Sequence, residues 1–277
     1  MEHTSSPEDS LLLSRLCSRE GGEEYLATVR EKQLGLLCLL SLAPSCRPPV
    51  SLLLEHLPRL QPRPYSLSCS SLTSPRSLSF VFTLVTSPRA GLATSHLTSL
   101  PPGSQLHFYQ RTNSFFLPPD SLDQSYIMVG AGSGLGPFLG FLKERRARLA
   151  AGEVGRGECW LLFGCREAGL DYIYRELLAE LLEAGVITKL LVSFSQEGGE
   201  LRYVQDNMTR HGADIVDLVA EGGGRLYVCG DARGMARDVQ TTLEQLYFRE
   251  RGGSKEEGEQ FVKDLRLEKK YLEDVWT

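Results

Sequence analysis

The stretch YIMVGAGSGLGPFLGFL, Tyr126–Leu142, decides how the second half of this chain folds. It begins with apolar residues typical of a buried strand, passes through four alternating glycines, and enters an apolar segment headed by Pro137. Glycine permits positive φ and close approach of the backbone to a ligand, and proline suits the first turn of a helix. Because a helix N-terminus offers free N–H groups to an anion, the stretch predicts a strand–turn–helix unit that holds a pyrophosphate, with Ser133 as a further donor.

The spacing of these glycines is not that of the dinucleotide-binding fingerprint G-x-G-x-x-G. Counted from Gly130 or Gly132, the sixth position is Leu135 or Pro137. A tight turn whose glycines serve only close packing is therefore a second interpretation, and the surroundings of the turn have to decide between the two.

From Tyr126 onward, strand patterns and helix patterns alternate. Strands are predicted at YIMVG, CWLLFG, KLLVSFS and RLYVCG, and helices at 137–150, 171–184, 202–220, 232–248 and 255–272. Regular alternation of this kind predicts an open, doubly wound parallel sheet with helices on both faces. Ligands of such sheets bind at the carboxyl ends of the strands, so we expect the loops after Val129, Phe163, Phe194 and Val228 to share one edge.

The residues before this region show two other sequence patterns. Residues 10–62 carry helical patterns interrupted by prolines, a long one at 23–43 and a shorter one at 48–60. Residues 63–122 contain three short β-branched and aromatic segments, at 63–71, 78–86 and 105–111, separated by Pro, Gly and Ser. These segments predict a small antiparallel sheet or barrel.

Several side chains near the predicted strands indicate a nucleotide ligand, and each also has a plainer explanation. Arg166 follows the second strand, where an arginine suits the 2′-phosphate of NADP(H), although a surface charge explains it equally well. Cys229 can orient a nicotinamide or simply fill a core. Asp231 has the place of a helix N-cap. Tyr65 can stack on a flat ring, and Trp276 can close a core or cover such a ring.

The composition argues against other classes of function. The chain has 277 residues and a net charge of −5, which does not favour a nucleic-acid surface. Its seven cysteines form no CxxC pair and no HExxH motif is present, so we expect no metal site, no disulfide framework and a reducing, cytoplasmic location. The richest apolar run, Leu34–Pro44, is too short to span a bilayer, and we expect a soluble protein without a membrane partner.

Taken in order along the chain, these motifs resemble the diflavin reductases, which contain a ferredoxin–NADP⁺ reductase-like module. The order is RPYS, GLAT, GSGLGPF, FGCR, YVQD, YVCGDARGMARDV and a tryptophan next to the C-terminus. The glycine turn has the form G-x-G-x-x-P-F of that module. The segments LPRLQPRPYS, RTNSFFLP and KKYLEDVWT are most similar to the members that reduce methionine synthase, followed by the microsomal NADPH–cytochrome reductases.

The resemblance covers about Glu24 to Thr277 and implies three regions. Residues 1–56 would be a tail and part of a helical connecting segment, 57–122 part of an antiparallel FAD-binding β-barrel, and 123–277 the NADP(H)-binding α/β domain. The flavodoxin-like FMN domain and the early part of the FAD barrel have no counterpart in this sequence. FMN is therefore expected only if a missing N-terminal domain exists.

The resemblance also assigns binding residues, position by position. For FAD they are Arg63, Pro64, Tyr65, Ser66, Val81, Phe82, Thr83, Gly91, Leu92, Ala93, Thr94 and Trp276. For NADP(H) they are Gly132, Ser133, Gly134, Pro137, Arg166, Ser195, Gln196, Arg202, Tyr203, Gln205, Asp231 and Asp238. Gln196 stands where the family has an arginine, which removes one charge at the 2′-phosphate. His96 replaces a usual tryptophan, and Gly136 a usual alanine.

The implied reaction is hydride transfer from NADPH to FAD, with electrons destined for the cobalamin of methionine synthase. Ser66 and Asp274 would tune the flavin and the developing charge, and Cys229 would orient the nicotinamide. Trp276 would cover the flavin until NADPH displaces it. Two alternatives stay open: a shortened chain that binds NADP(H) without catalysis, and a homologue of the NADPH–cytochrome reductases.

Overall fold

A computed structural model describes residues 2–86, 90–112 and 115–276, which form two compact units, Met1–Pro62 and Arg63–Thr277. The first unit is built from short helices. They are α1 (Pro7–Leu16), α2 (Gly22–Tyr25), α3 (Leu36–Leu42) and α4 (Val50–His56), with a π-helical turn at Leu26–Arg30. The shorter helix predicted at 48–60 is confirmed as α4. The single helix predicted at 23–43 is wrong, because Gln33 adopts a left-handed φ of 49° and Gly35 starts a new helix.

The second unit is built on a five-stranded parallel sheet. Its elements are α5 (Leu92–Ser99), β1 (Tyr126–Ala131), α6 (Leu135–Ala150), β2 (Cys159–Cys165), α7 (Arg175–Glu183), β3 (Lys189–Phe194), α8 (Val204–Arg210), α9 (Gly212–Val216), β4 (Arg225–Asp231), α10 (Met235–Arg251), α11 (Lys255–Leu267) and β5 (Tyr271–Trp276). The strand order is β3-β2-β1-β4-β5, and every neighbouring pair is parallel. The predicted doubly wound α/β fold is therefore confirmed.

The two faces of this sheet bury separate apolar clusters. Tyr126 and Met128 pack with side chains of α6 and α7 on one face, whereas Ile127 and Val129 pack with those of α8 to α11 on the other. The alternation follows from the two-residue period of a strand. Burial on both faces explains why these strands read as nearly continuous apolar runs.

The order of the strands reverses next to β1. The chain winds from β1 through β2 to β3 on one side, and places β4 and β5 on the other side. The helices that follow β1 and β4, α6 and α10, pack on opposite faces of the sheet. A doubly wound sheet binds its ligand at such a switch point, so we expect the ligand site at the carboxyl ends of β1 and β4.

The last two predicted helices need correction. The helix predicted at 255–272 ends at Leu267, because Lys269 adopts a left-handed φ of 57°. The chain then forms β5, a strand that the sequence pattern did not reveal. The helix predicted at 202–220 is split into α8, α9 and a π-helical turn at Asp217–Glu221, with the break between α8 and α9 at His211.

The predicted antiparallel strands at 63–71, 78–86 and 105–111 are wrong for the part of the chain that the structure describes. A single antiparallel bridge, Leu67 to Phe80, joins the first two segments. Residues 92–99 instead form α5, which was not expected. An isolated pair of strands is marginal without a third strand to pack against, and Phe108 and Tyr109 of the third segment are exposed.

Candidate functional site

The glycine turn lies between β1 and α6. Gly132–Gly134 form one 3₁₀ turn, in which Gly132 has a φ of 55°, a left-handed conformation that favours glycine. Gly134 lies so close to β4 that a Cβ at this position would be 2.1 Å from the carbonyl oxygen of Cys229. Pro137 lies in the first turn of α6, where its missing N–H costs little. The turn therefore places the N-terminus of a 16-residue helix beside the end of β4.

The ends of β4 and β5 bring the predicted catalytic residues together. Cys229 is the register partner of Asp274, and Asp231 is that of Trp276. The Ser66 hydroxyl donates a hydrogen bond to the Asp274 carboxylate across 208 residues of sequence. Trp276 is 44% exposed, and its carbonyl accepts a hydrogen bond from Ala232 N–H at 2.8 Å.

The environment of Cys229 limits what its thiol can do. The residue is buried, and this burial raises the pKa of the thiol, which the Asp274 carboxylate raises further. The thiol therefore stays protonated at neutral pH. Because the thiolate is the nucleophile, Cys229 can contact and orient a ligand but does not attack one.

Three half-buried aromatic side chains cluster in the segment assigned to FAD. Tyr65 stacks on Phe80 with 4.9 Å between ring centroids, and Phe82 lies edge-on to Tyr65 at 6.1 Å. Thr83 donates a hydrogen bond from Oγ1 to Ser133 Oγ over 3.3 Å, which joins this segment to the glycine turn. The segment therefore offers aromatic rings for stacking and is hydrogen-bonded to the predicted pyrophosphate turn.

The segment that carries Ser66 is held on α6 by contacts that sequence reasoning missed. Lys143 Nζ donates a hydrogen bond to the Ser68 carbonyl at 2.8 Å. Gly140 lets the same segment approach closely, since a Cβ there would lie 3.1 Å from the Cys69 carbonyl oxygen. The available signal was the four-residue spacing of Gly136 and Gly140, which puts both glycines on one helix face.

The residues assigned to the FAD phosphates lie at the start of α5. Gly91 N–H donates to the Val85 carbonyl at 2.8 Å, and Thr94 Oγ1 accepts a hydrogen bond from Val85 N–H at 3.2 Å. Leu92 and Ala93 occupy the first turn of this eight-residue helix. The predicted phosphate loop is thus the N-terminus of a helix, a favourable place for an anion.

Residues assigned to the 2′-phosphate converge where the loops after β2 and β3 meet. Ser195 N–H donates to the Cys165 carbonyl at 2.9 Å, and Gln196 N–H to the Arg166 carbonyl at 3.0 Å. The Arg202 guanidinium donates from Nε and Nη2 to the Ser195 carbonyl at 3.2 and 2.8 Å. These bonds join Arg166, Ser195, Gln196 and Arg202 into one polar group at the carboxyl edge of the sheet.

Two further predicted residues extend this polar group. The Arg202 guanidinium lies 5.7 Å from the centroid of the Tyr203 ring, and that ring is on a residue 52% exposed. Tyr203 N–H donates to the Asp206 carboxylate at 2.7 Å, which fixes the start of α8. Gln205 lies in the first turn of α8 and is half-buried. An exposed ring beside a guanidinium is a suitable platform for an adenine.

The two acidic residues assigned to NADP(H) flank the start of α10. The prediction of Asp231 as N-cap is wrong, because α10 begins at Met235 with Gly234 in the cap position. The Asp231 carboxylate instead accepts a hydrogen bond from Gly234 N–H and closes the turn that intervenes between strand and helix. Asp238 lies in the first turn of α10 and is exposed.

The described residues contain neither a membrane-spanning helix nor a cluster of metal ligands. Among residues 2–86, 90–112 and 115–276, no helix has the length and apolar character needed to cross a bilayer. Within the same ranges, His, Cys, Asp and Glu side chains form no group of three or more that could hold a metal ion.

Comparisons with known proteins identify two family regions and several similar enzymes. Residues 1–98 match the FAD binding domain family, and residues 128–241 match the oxidoreductase NAD-binding domain family. The whole chain is similar to methionine synthase reductase from Mus musculus, with 41% identity over 310 positions, and from Homo sapiens, with 38%. It is also similar to NADPH–cytochrome P450 reductase from Sus scrofa, with 37% identity over 291 positions.

The chain spans less than half of each of these relatives, 44% of the two methionine synthase reductases and 42% of the cytochrome P450 reductase. The resemblance to the diflavin reductases is confirmed. The two matched ranges give the chain an FAD-binding and an NAD-binding region, in the order found in the ferredoxin–NADP⁺ reductase-like module.

Proposed function

We propose that this chain is an NADPH-dependent FAD flavoprotein oxidoreductase. The observation that carries the proposal is the meeting of Ser66, Cys229 and Asp274 at the sheet edge that also holds the glycine turn. Each of these residues comes from a different part of the chain, and the fold brings them to one place. The cofactors supply the redox chemistry: FAD accepts the hydride that NADPH gives.

The residues present fit both cofactors. The glycine turn leaves a backbone surface without side chains at Gly132, where an added Cβ would meet nothing within 4 Å. Gly132, Ser133, Gly134 and Pro137 would hold the NADP(H) pyrophosphate, and the polar group around Arg166, Ser195 and Arg202 its 2′-phosphate. Gln196, Tyr203, Gln205, Asp231 and Asp238 would complete that site.

The flavin would be held by residues on the 63–94 segment and by the C-terminus. Arg63, Pro64, Tyr65, Ser66, Val81, Phe82 and Thr83 would hold its ring system, and Gly91, Leu92, Ala93 and Thr94 its phosphates. The aromatic cluster around Tyr65 supports the first assignment, and the helix N-terminus at Leu92 the second.

The catalytic work of the protein itself is positioning and charge control. The Asp274 carboxylate accepts a hydrogen bond from the Ser66 hydroxyl, which fixes the orientation of both polar groups. The pair would lie beside the reacting rings. The neutral Cys229 thiol would orient the nicotinamide. The Trp276 ring, exposed at the end of β5, would cover the flavin and make way for the nicotinamide.

The wider context of the proposal rests on similarity. The regions that we propose are 1–56, a tail and part of a helical connecting segment; 57–122, part of the FAD-binding β-barrel; and 123–277, the NADP(H)-binding α/β domain. Methionine synthase is the proposed electron acceptor, and the cytoplasm the proposed location. The relatives named methionine synthase reductase support the acceptor, since the chain is 41% identical to one of them.

Purified protein tests the proposal directly. We expect flavin absorbance in the folded protein and its bleaching by NADPH under anaerobic conditions. Folded protein that shows neither flavin absorbance after FAD is added nor any response to NADPH would overturn the proposal. Ser66→Ala should slow the bleaching by about 10²-fold, the lower end of what the loss of one preorganised hydrogen-bond donor costs.

A second candidate function is NADP(H) binding without catalysis. It is favoured by the described part of residues 63–122, which forms one antiparallel bridge in place of a barrel. The alignment with the mouse relative also favours it. That alignment has 310 positions against the 277 residues of this chain, so at least 33 residues of the relative have no counterpart within the aligned region. Tight NADP⁺ binding by protein that retains no FAD would select this candidate.

The remaining candidate, an NADPH–cytochrome reductase homologue, differs from the first in its electron acceptor. The similarity to the Sus scrofa cytochrome P450 reductase, at 37% identity, is the observation in its favour. Turnover with methionine synthase and with a microsomal cytochrome, measured on the same protein preparation, distinguishes the two acceptors.

A further inference from the structure

Arg166 is not a free surface cation but one half of an ion pair. Its Nε donates a hydrogen bond to Asp171 Oδ2 at 3.0 Å. The other carboxylate oxygen, Oδ1, accepts the backbone N–H groups of Arg166 and Glu167, each at 2.9 Å. One carboxylate therefore fixes both the backbone and the side chain of the residue that follows β2.

The geometry leaves the far end of the guanidinium available. The ion pair uses Nε, and among the described residues neither Nη1 nor Nη2 of Arg166 has a hydrogen-bond partner. The Arg166 side chain is 58% exposed and that of Asp171 only 25%. The carboxylate thus lies on the inner side of the pair, and two donors remain for a phosphate, which a guanidinium binds in bidentate fashion.

The loop between Arg166 and Asp171 is also tied to the loop after β3. The Glu197 carboxylate accepts a hydrogen bond from Ala168 N–H, and Gln196 N–H donates to the Arg166 carbonyl. Two acidic side chains beside a proposed anion site are therefore both engaged in internal hydrogen bonds. Burial by itself would raise the pKa of Asp171, but hydrogen bonds from Glu167 N–H and from Arg166 outweigh it and lower the pKa, so the carboxylate stays charged.

We propose that Asp171 is a positioning residue for coenzyme selectivity, which holds the Arg166 guanidinium ready for the 2′-phosphate of NADP(H). This inference rests on the proposed function. Arg166 would contact the phosphate, and Asp171 would act through Arg166.

Two opposing effects decide the sign of an Asp171 substitution. A carboxylate behind the guanidinium repels a phosphate. At roughly 7 Å in water the repulsion of a doubly charged phosphate weakens binding by about sevenfold, and screening at physiological salt reduces this to about twofold. Fixing a long side chain in advance saves its ordering on binding, equivalent to about 1 kcal/mol or fivefold in affinity. Orientation therefore outweighs repulsion, and removal of the carboxylate should weaken binding.

The substitution Asp171→Asn isolates this effect. Asparagine keeps an oxygen for the two backbone N–H groups, but its amide nitrogen cannot accept a hydrogen bond from Arg166 Nε. We expect adenosine 2′,5′-bisphosphate to bind about fivefold more weakly by calorimetry. Adenosine 5′-monophosphate, which lacks the 2′-phosphate, should bind unchanged.

Glu153→Gln is the matched control. It breaks the Arg148–Glu153 pair, in which Nη2 and Oε2 lie 2.8 Å apart after the C-terminus of α6, at the other edge of the sheet. This variant should bind both nucleotides as the unsubstituted protein does. The thermal midpoints of all variants show whether each is folded.

A double-mutant cycle separates positioning from a purely structural role. If Asp171 acts through Arg166, Asp171→Asn has no further effect on bisphosphate binding in an Arg166→Ala background. If Asp171→Asn binds the bisphosphate as tightly as the unsubstituted protein, or weakens binding equally in both backgrounds, the inference fails. Absence of bisphosphate binding by the unsubstituted protein would instead overturn the proposed function.

Discussion

Replacement of Gly134 by alanine tests how the glycine turn is packed. A Cβ at this position would lie 2.1 Å from the Cys229 carbonyl oxygen and 2.8 Å from its carbonyl carbon. The gap has to open by about 0.9 Å to reach the 3.0 Å below which Cβ contacts are essentially never found. The atoms that must move are backbone atoms of β4, which is hydrogen-bonded to β1 and β5 on its two sides.

The cost follows from this rigidity. Overpacking of a core typically costs about 1–3 kcal/mol, and a clash with central-sheet backbone belongs at the upper end, about 3 kcal/mol. Gly136→Ala is the matched control two residues later. There an added Cβ would lie 3.7 Å from Val81 Cβ, an ordinary contact, and the helical position should gain about 0.5–1 kcal/mol from alanine.

Guanidinium unfolding followed by tryptophan fluorescence measures both changes. The chain has two tryptophans, Trp160 and Trp276, and both belong to the second unit. We expect a free energy of unfolding about 3 kcal/mol lower for Gly134→Ala and equal or higher for Gly136→Ala. If Gly134→Ala unfolds at the midpoint of the unsubstituted protein, or if both variants lose the same amount, the packing argument is wrong.

Three further predictions concern single groups. Trp276→Ala should shift coenzyme preference from NADPH towards NADH, measured as the ratio of kcat/KM values, and an unchanged ratio would contradict the covering role. A thiol reagent should label the exposed Cys17 quickly, and Cys159 and Cys165 only on unfolding, because burial raises the pKa of Cys159 to about 11 and that of Cys165 to about 12; mass spectrometry of the labelled native protein checks this. Hydrogen bonds from Thr188 and Trp160 lower the pKa of Glu158 below 4.5, so the stability that it contributes is present above pH 4.5 and lost as the pH falls through the folded-state pKa. Glu158→Gln should therefore flatten the acid end of a plot of thermal midpoint against pH, and a slope equal to that of the unsubstituted protein would refute the assignment.

The parts of the fold that the sequence predicted are those with burial on both faces. β1, β2 and β4 bury nearly every residue, and β3, an edge strand, is partly buried along its length. The apolar runs of all four are visible without any partner. β5 is an edge strand whose middle carries Glu273 and Asp274, so its pattern resembles the end of the preceding helix. Three residues, 268–270, separate the two elements, and Lys269 among them is in a left-handed conformation.

The sequence also predicted at which edge of the sheet the site lies, but it did not predict the side-chain contacts within the site. Parallel strands bring their carboxyl ends together whatever their side chains are, so the loops after β1 to β4 could be assigned to one edge. The hydrogen bonds from Thr83 to Ser133, from Lys143 to Ser68 and from Arg166 to Asp171 depend on register and loop length. The first two of these join residues 50 and 75 positions apart, beyond the reach of any local pattern.

The sequence of the glycine turn allowed two interpretations, close packing or a phosphate site. In the structure the two are compatible. Gly134 packs on the Cys229 carbonyl, and Gly140 on the carbonyls of Leu67 and Cys69. The first contact draws the end of β4 to the turn, and the second seats the segment that carries Ser66, whose hydroxyl bonds Asp274. Close packing is therefore the means by which the proposed pyrophosphate turn and the proposed hydride-transfer residues come to share one edge. Gly140, at which an added Cβ would meet only protein, can thus be required for binding a cofactor that it is not proposed to contact.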